Sequence, residues 1–271
     1  MLLKMSVSVT VLASGSRGNC AIVSSSRTRI LVDVGLSGRE TLKRMQRVKE
    51  DPKSLSAILI SHEHSDHVYG LYTLSRRLKI PVFMTAPTHQ AWKRTERDKR
   101  QDKVALERCE HFQSGHRFEI GDITVTPFTI PHDAVDPVAF TFRAEGVKVG
   151  IVTDLGYMSA NVARNIDACD LLMIESNHDL EMLRVGPYPW AVKQRVMSRV
   201  GHLSNDALAD FFRNDYDGSA AFVVLAHLSE HNNLPQIALR AAEQALVNRR
   251  SLLHNRLLLA SQTEPMEALT F

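Results

Sequence analysis

The spacing of apolar and polar residues divides the chain into two β-rich blocks, each followed by helical segments. Short apolar or alternating runs predict strands, and apolar residues recurring every three or four positions predict helices. Predicted strands cover 7–13, 21–24, 29–34, 57–60, 81–84, 123–130, 138–142, 148–153, 171–174, 220–228 and 256–260. Predicted helices cover 38–48, 68–78, 88–94, 192–200, 206–212 and 236–247. Periodicity alone therefore predicts an α/β or α+β fold, with two sheets packed face to face and helices outside.

Length and composition are those of an ordinary globular protein. The 271 residues are 44% hydrophobic and 23% charged, and they contain no internal repeat, low-complexity tract or linker. A single domain covering 1–271, with a core that needs no covalent support, is the prediction. The net charge of +3 permits an anionic substrate without requiring one.

Cysteine usage and the N-terminal pattern bear on location. The three cysteines, Cys20, Cys109 and Cys169, are far apart, and their odd number argues against a disulfide framework. A reducing cytoplasm is the simple inference. The first 13 residues fit a β-strand better than the unbroken apolar stretch of a signal peptide. No run reaches the roughly 18 apolar residues needed to cross a bilayer, so no membrane association is predicted.

The most specific feature is the segment SHEHSDHVYG at 61–70, directly after an apolar run at 57–60. On an extended segment, His62 and His64 point to the same side. Asp66 and His67 then turn away at the start of the following helix, where they can serve a second metal ion. A solvated histidine-rich loop has no need of this pattern at the exit of a buried strand, so a metal site is the stronger interpretation.

Three later residues of ligand type also follow apolar strands, and strand ends that meet at one sheet edge can assemble a site. These are His132, Asp154 and His227. Taken alone, an aspartate at a strand end is usually a turn former, and a histidine there usually packs against its neighbours. Asp133 competes with His132, although a turn or an outer hydrogen bond suits it better.

The His-x-His-x-Asp-His segment resembles the signature of the metallo-β-lactamase superfamily. This resemblance implies an α+β fold, the αββα four-layer sandwich, with two divalent metal ions. Carried over from the superfamily, one ion is held by His62, His64 and His132, the second by Asp66, His67 and His227, and Asp154 bridges them. Imidazole and carboxylate ligands suit Zn²⁺, Mn²⁺ or Fe²⁺, and ligand type does not choose among them.

Further segments resemble the bacterial YycJ/WalJ family within this superfamily. They read VLASGSRGNC at 11–20, ESNHD at 175–179, GHLSN at 201–205 and AHLSEHNN at 226–233. The resemblance implies a cytoplasmic, metal-dependent phosphodiesterase with 5′-to-3′ DNA exonuclease activity. Two positions depart from the family pattern. Arg17 replaces a small residue and would add a phosphate contact, whereas His231 replaces an acidic residue and has no assigned role.

Several residues are candidates for catalysis and substrate binding. Asp66 would both bind metal and orient the nucleophile, and His202 would donate a proton to the leaving oxygen or hold the phosphate. Ser204 begins a predicted helix, whose free N–H groups favour anions. The alternative is that Ser204 only caps the helix and His202 only packs. Asn177 and His178, after another apolar strand, are predicted substrate contacts, and Glu175 is a candidate to orient a ligand histidine.

Other charged and histidine residues carry weaker signals. The segment 92–103 mixes basic and acidic residues, which fits a solvated helical face better than a nucleic-acid track. Four histidines lack any partner pattern and are predicted to be surface or packing residues: His89, His111, His116 and His254.

The leading functional hypothesis is cleavage of nucleic acid, with DNA attacked from a 5′ end. One alternative is a metallohydrolase of a small-molecule ester, thioester, lactone or β-lactam. Another is a non-catalytic metal-binding regulatory module, against which the full ligand set argues. The sequence leaves open the native metal, DNA against RNA, end polarity, pathway and oligomeric state.

Overall fold

The computed structural model describes residues 7–100, 105–247 and 256–271. The strands are β1 Ser8–Ala13, β2 Cys20–Ser24, β3 Arg29–Val32, β4 Ala57–Leu59, β5 Val82–Thr85, β6 Cys109–Phe112, β7 Phe118–Ile120, β8 Ile123–Thr129, β9 Val138–Ala144, β10 Val147–Val152, β11 Leu171–Glu175, β12 Phe222–Ala226, β13 Arg256–Leu259 and β14 Leu269–Thr270. The α-helices are α1 Gly38–Arg47, α2 Ser65–Val68, α3 Leu71–Leu78, α4 Ala86–Arg100, α5 Ala160–Ile166, α6 Leu180–Val185, α7 Trp190–Val196, α8 Asn205–Asn214 and α9 Pro235–Leu246.

The strands form two seven-stranded mixed sheets. The first has the order β14-β1-β2-β3-β4-β5-β6, and the second has the order β13-β12-β11-β10-β9-β8-β7. Strands β3 to β6 are parallel in the first sheet, and strands β10 to β13 are parallel in the second. Parallel strands end at a common edge, so residues that follow them are brought together.

Three hydrophobic clusters hold these layers in place. The largest lies between the two sheets and includes the buried rings of Phe140 and Phe142. A second joins the outer face of the first sheet to its helices, through Met45 of α1 and Trp92 of α4. The third joins α5, α8 and α9 to the second sheet, with Phe212 buried in it. The resulting αββα arrangement confirms the fold that the histidine segment implied.

The prediction of one continuous helix over 68–78 is wrong. The structure has two helices, α2 and α3, separated at Gly70. The Gly70 amide donates a hydrogen bond to the Val34 carbonyl oxygen at 2.8 Å. A Cβ atom at position 70 would lie 2.1 Å from the Leu36 carbonyl oxygen. The close approach of the loop after β3 therefore requires glycine and ends the first helix, which leaves Asp66 and His67 on a single turn of α2.

Other differences concern short elements and element ends. Five of the strands and α-helices in the described residues were not predicted: β6, β7, α5, α6 and β14. Most have two to six residues, too few to show a clear period. The helix predicted over 192–200 begins earlier, after Pro189, and ends at Val196. Residues 101–103 of the charged segment and His254 lie outside the described residues. No helix in the described ranges is long and apolar enough to cross a membrane.

Candidate metal centre

The seven residues predicted as metal ligands meet at one edge of the two sheets. His62 and His64 follow β4 of the first sheet, and Asp66 and His67 lie on α2 just beyond them. The other three, His132, Asp154 and His227, follow β8, β10 and β12 of the second sheet. Both sheets therefore contribute to one centre, and strand order explains why residues up to 165 positions apart in sequence become neighbours.

One group of potential ligands consists of three histidines. His62, His64 and His132 each offer a ring nitrogen, and these atoms all lie within 4.8 Å of one another. His132 Nε2 is 3.2 Å from His64 Nδ1. The other nitrogen of His132, Nδ1, is 3.1 Å from the Gly201 carbonyl oxygen. Because only a protonated nitrogen can donate to that oxygen, Nε2 keeps its lone pair toward the group.

A second group contains Asp66, His67, Asp154 and His227, again with ligand atoms within 4.8 Å of one another. Asp66 Oδ2 is 3.4 Å from His227 Nε2 and 3.6 Å from His67 Nε2. Asp154 Oδ2 is 3.1 Å from His67 Nε2, while its Oδ1 is 3.9 Å from His132 Nε2 of the first group. Asp154 thus lies between the two groups, the position that a bridging ligand requires.

Two buried carboxylates fix the ring orientations. Asp33 Oδ2 is 2.8 Å from His67 Nδ1, and Asp33 also accepts hydrogen bonds from the amide and hydroxyl of Ser61. Glu175 Oε1 is 2.8 Å from Nδ1 of both His202 and His227. Each contact binds one imidazole nitrogen and leaves Nε2 available to the centre.

Sequence reasoning proposed Glu175 for such a role but missed Asp33. The available signal was the same one that identified Asp154, an aspartate directly after an apolar strand. The sequence therefore offered a way to find Asp33, since its segment RILVD matches the pattern of a strand ending in a carboxylate.

Three of these residues have an uncommon backbone conformation. Asp33, Asp154 and His227 have φ angles of 57°, 62° and 54°. This left-handed region is costly for residues other than glycine, about 1–3 kcal/mol each, and such residues cluster at functional sites. Each follows the last residue of a strand or comes within two positions of it, so the turn redirects its side chain toward the centre.

The donor atoms fit divalent metal ions. Nε2 of His62 and Nε2 of His227 are buried and make no hydrogen bond, which is unusual for polar atoms in a folded protein. A metal ion in each group would satisfy the unpaired ring nitrogen of that group. Imidazole nitrogens and carboxylate oxygens without thiolate are donors typical of Zn²⁺, Mn²⁺ and Fe²⁺.

The electrostatic environment favours ionised carboxylates and, at His62, a neutral imidazole that a cation can bind. Burial, reinforced by the neighbouring His67, holds the pKa of His62 well below its usual range. Burial would raise the pKa of Asp154, but His227 and His67 together hold it well below the usual value. Burial likewise opposes ionisation of Glu175, yet His202 lowers the pKa of that carboxyl to about 2.

In contrast, carboxylates raise the pKa of two histidines. Burial alone would lower the pKa of His67 and of His227, but Asp154 beside both rings raises each pKa well above the usual value. Protons on these two rings and a divalent cation are both attracted by the negative charge of the Asp154 carboxylate, so they compete with each other. We therefore expect metal binding at this centre to release protons.

A cavity of about 350 Å³ lies over the centre. Its walls include Asp66, Asp154 and His202, together with Arg195 and Tyr188 from the α6–α7 region. Arg195 also forms a salt bridge with Asp133. The cavity therefore combines the two groups of potential metal ligands with a guanidinium group and an aromatic ring.

Of the residues predicted for catalysis and substrate binding, some line the cavity and others do not. His202 and Asn177 line the cavity, and Asn177 Nδ2 donates to the His227 carbonyl oxygen at 2.8 Å. His178 and Ser204 are buried and are not among the described residues that line it. Ser204 Oγ accepts a hydrogen bond from the Ala207 amide and caps α8. Substrate contact by these two residues remains a prediction.

Arg17 and His231, the two departures from the family pattern, lie beside residues that line the cavity. Arg17 follows Ser16, which lines the cavity, and its guanidinium is 2.7 Å from the Glu230 carboxylate. The His231 ring contacts the Tyr188 ring edge to face, with centroids 6.0 Å apart. His231 thus supports an aromatic wall of the cavity.

The profile of the β-lactamase superfamily domain matches residues 28–227. The exodeoxyribonuclease WalJ of Streptococcus pneumoniae is 36% identical over 229 residues, 84% of each chain. The exodeoxyribonuclease YycJ of Bacillus anthracis is 36% identical over 242 residues, 89% of this chain and 90% of the relative. The chain belongs to the WalJ/YycJ family of the β-lactamase superfamily.

A solved structure supports the same fold. The metallo-β-lactamase-fold protein YhfI from Bacillus subtilis superposes with a TM-score of 0.72 at 18% identity, covering 99% of this chain and 100% of that one. Membership in the WalJ/YycJ family makes this protein a metal-dependent hydrolase. The centre described above contains the divalent-metal donors that this class of enzyme requires.

Proposed function

We propose that this member of the WalJ/YycJ family is a phosphodiesterase that uses two divalent metal ions to degrade DNA from the 5′ end. The observation that carries the proposal is the position of Asp154 between two groups of ligands, directly under a cavity that contains Arg195. Its relatives named exodeoxyribonuclease support DNA as the substrate.

We propose the division of ligands that the superfamily resemblance implies. His62, His64 and His132 would hold one ion, Asp66, His67 and His227 the other, and Asp154 both. Zn²⁺ and Mn²⁺ are the proposed ions, with Fe²⁺ compatible with the same donors. When bound, such a pair supplies Lewis-acid stabilisation of phosphate oxygens and a water of lowered pKa.

Asp66 and His202 are the proposed catalytic residues. Asp66 lines the cavity, and about a fifth of its side chain is exposed, so its carboxylate can accept a proton from an attacking water and orient that water. His202 lies on another wall with Nδ1 held by Glu175. Its Nε2 is therefore the nitrogen available to donate a proton to the leaving oxygen.

Arg195 and Tyr188 are proposed to bind the substrate. A guanidinium group recognises phosphate through paired hydrogen bonds, and an aromatic ring stacks on a base or sugar. The cavity lies near the lower end of the range for small-ligand sites, about 300–1,000 Å³. A terminal nucleotide fits such a volume better than an uninterrupted duplex does, which favours cleavage from an end.

Two further features of the protein belong to this proposal. Because the main hydrophobic cluster joins the two sheets, we treat residues 1–271 as a single domain. The three cysteines are free, and two of them are buried, which fits a protein that works in the reducing cytoplasm.

The proposal is tested by digestion of end-labelled substrates with Mn²⁺ or Zn²⁺. The substrates are single- and double-stranded DNA and matched RNA, each with a 5′-phosphate or a 5′-hydroxyl. We expect metal-dependent, stepwise loss of nucleotides from the 5′ end of DNA, and no loss with the Asp66→Ala variant, which controls for contaminating nuclease. Absence of cleavage with every substrate and both metals would contradict the proposal and leave a small-molecule ester or thioester as the alternative.

A further inference from the structure

A separate cluster of side chains that could bind a metal ion lies away from the centre, where helix α4 meets strand β6. His89 is on α4, and Cys109 and His111 are on β6, the last strand of the first sheet. Sequence reasoning left His89 and His111 without partners because 22 residues separate them. The parallel pairing of β5 with β6 brings them together.

The three side chains converge on one point. His89 Nδ1 is 2.9 Å from His111 Nε2 and 3.5 Å from Cys109 Sγ. All three ligand atoms lie within 4.8 Å of one another. With Zn–N near 2.0 Å and Zn–S near 2.3 Å, ligand atoms in a tetrahedral zinc site are about 3.3–3.6 Å apart. The observed spacing requires only a small adjustment to reach that geometry.

Local structure explains this convergence. Cys109 and His111 are two positions apart on a strand, so their side chains leave the same face. His89 is one turn before Trp92, which is buried in the core cluster of the first sheet and fixes α4 against that sheet. The rings of His89 and Trp92 stack with centroids 6.1 Å apart. The ligands are therefore held on two regular elements rather than on a loop.

We propose that His89, Cys109 and His111 form a zinc site that is separate from the catalytic centre. Two imidazoles and one thiolate are donors that zinc prefers, and a water molecule would complete the fourth position. His89 and Cys109 are half-buried and His111 is exposed, so an ion has access from solvent. The bound ion would tie α4 to the terminal strand of the sheet and stabilise an edge that has no further strand in the described residues.

Nearby charges limit the affinity. The positive charge of Lys93 acts on both His89 and Cys109, and the negative charge of Glu110 acts on Cys109. Burial and then Glu110 raise the pKa of the Cys109 thiol to about 11, and Lys93, which opposes that shift only in part, also repels a cation. With three protein ligands and this neighbour, we expect weaker binding than in a site with four thiolates or imidazoles.

Cobalt substitution tests the site because a thiolate bound to Co²⁺ gives a sulfur-to-metal charge-transfer band in the near ultraviolet. Among the described residues Cys109 is the only cysteine that belongs to a group of potential metal ligands, so we assign this band to Cys109. The band should appear when Co²⁺ is added to the parent protein and disappear in the Cys109→Ser variant. Cys169→Ala and His116→Ala are matched controls, a buried cysteine and an exposed histidine outside the site, and both should keep the band.

Zinc stoichiometry and nuclease assays separate this site from the catalytic one. Cys109→Ser should bind one zinc equivalent fewer than the parent protein and should cleave DNA at the rate of the parent protein. Loss of a hydrogen-bond partner behind a metal ligand typically weakens metal binding about 10–100-fold. His111→Ala removes a proposed ligand itself, so it should weaken Co²⁺ binding by more than that. Absence of the band in the parent protein at saturating Co²⁺, or its persistence in Cys109→Ser, would overturn the proposal.

Discussion

At the scale of single residues, buried carboxylates decide which nitrogen each histidine presents. Asp33 holds His67 through Nδ1, and Glu175 holds both His202 and His227 in the same way. Because the carboxylate of Glu175 contacts both rings, it links the proposed ligand His227 to the proposed proton donor His202. We infer that the rings are oriented before any metal ion binds, which lowers the entropy lost on binding.

Removing a proposed ligand should abolish hydrolysis without unfolding the protein. Asp66→Ala and His64→Ala each delete one donor near the cavity, where the lost side chain leaves no large gap in the hydrophobic core. We expect no detectable cleavage, reduced metal content and a circular dichroism spectrum like that of the parent. Full activity in a variant whose metal content is confirmed lost would contradict the two-metal account.

His202→Ala should separate proton donation from metal binding. If His202 acts on the leaving oxygen, turnover should fall about 10²–10⁴-fold, the usual contribution of a general acid. Metal content, measured by mass spectrometry of the purified protein, should stay the same. An empty centre in this variant would show that His202 is a ligand.

Asp33→Asn tests the outer carboxylate that sequence reasoning missed. It keeps the size of the side chain but weakens the charged contact with His67, so metal affinity should fall about 10–100-fold. Competition with a chromophoric chelator measures that affinity. Asp206→Asn, at an exposed position on α8, is the matched control and should bind metal as the parent does. A metal affinity of Asp33→Asn equal to that of the parent protein would show that Asp33 does not support the metal centre.

At the scale of elements, turns at strand ends determine where the ligands lie. The loop after β3 packs so closely against the histidine segment that a Cβ at Gly35 would lie 1.6 Å from the Asp66 carbonyl oxygen. Gly70 is confined in the same way. These contacts place the single turn of α2 relative to the sheet, and with it Asp66 and His67.

Gly70→Ala should therefore destabilise the fold and disturb the centre together. Inserting a methyl group into such a tight contact typically costs about 1–3 kcal/mol of unfolding free energy. Gly38→Ala is the control, because a Cβ there would meet Thr73 Cγ2 at 3.3 Å, a contact that a small shift relieves. Denaturant unfolding of both variants measures the difference. Equal stabilities would show that the loop can move away at little cost.

Sequence patterns predicted the longer elements and the proposed ligands but not the close contacts between loops. The strands that lead to His62, Asp154 and His227 are apolar runs, which reveal themselves without tertiary information. The break at Gly70 depends on the Val34 and Leu36 carbonyls, which are distant in sequence, so helical periodicity alone could not predict it. For the same reason the pairing of His89 with His111 could not be predicted, since it depends on the position of β6 beside β5.

At the scale of the whole molecule, the proposed centre joins the two sheets at one edge. The first sheet and α2 supply His62, His64, Asp66 and His67, and the second sheet supplies the remaining proposed ligands. Metal ions held between them would add crosslinks where the hydrophobic cluster between the sheets ends. Metal binding should therefore contribute to global stability as well as to catalysis.

Removal of metal with a chelator should lower the melting temperature, and Mn²⁺ or Zn²⁺ should restore it. A ligand that binds only the folded state adds about 4 kcal/mol at a free concentration 1,000 times its Kd. Calorimetry with and without metal measures the shift, and His64→Ala should show a smaller one. A chelated protein as stable as the loaded one would contradict a metal link between the sheets.

The most direct test of the account is the location of metal ions by anomalous diffraction from crystals loaded with Mn²⁺. Manganese is suited to the oxygen and nitrogen donors of the centre and ill-suited to the thiolate of Cys109. The account predicts two peaks, one on each side of Asp154 and about 3.5–4 Å apart. A single peak, or two peaks that Asp154 does not bridge, would contradict it.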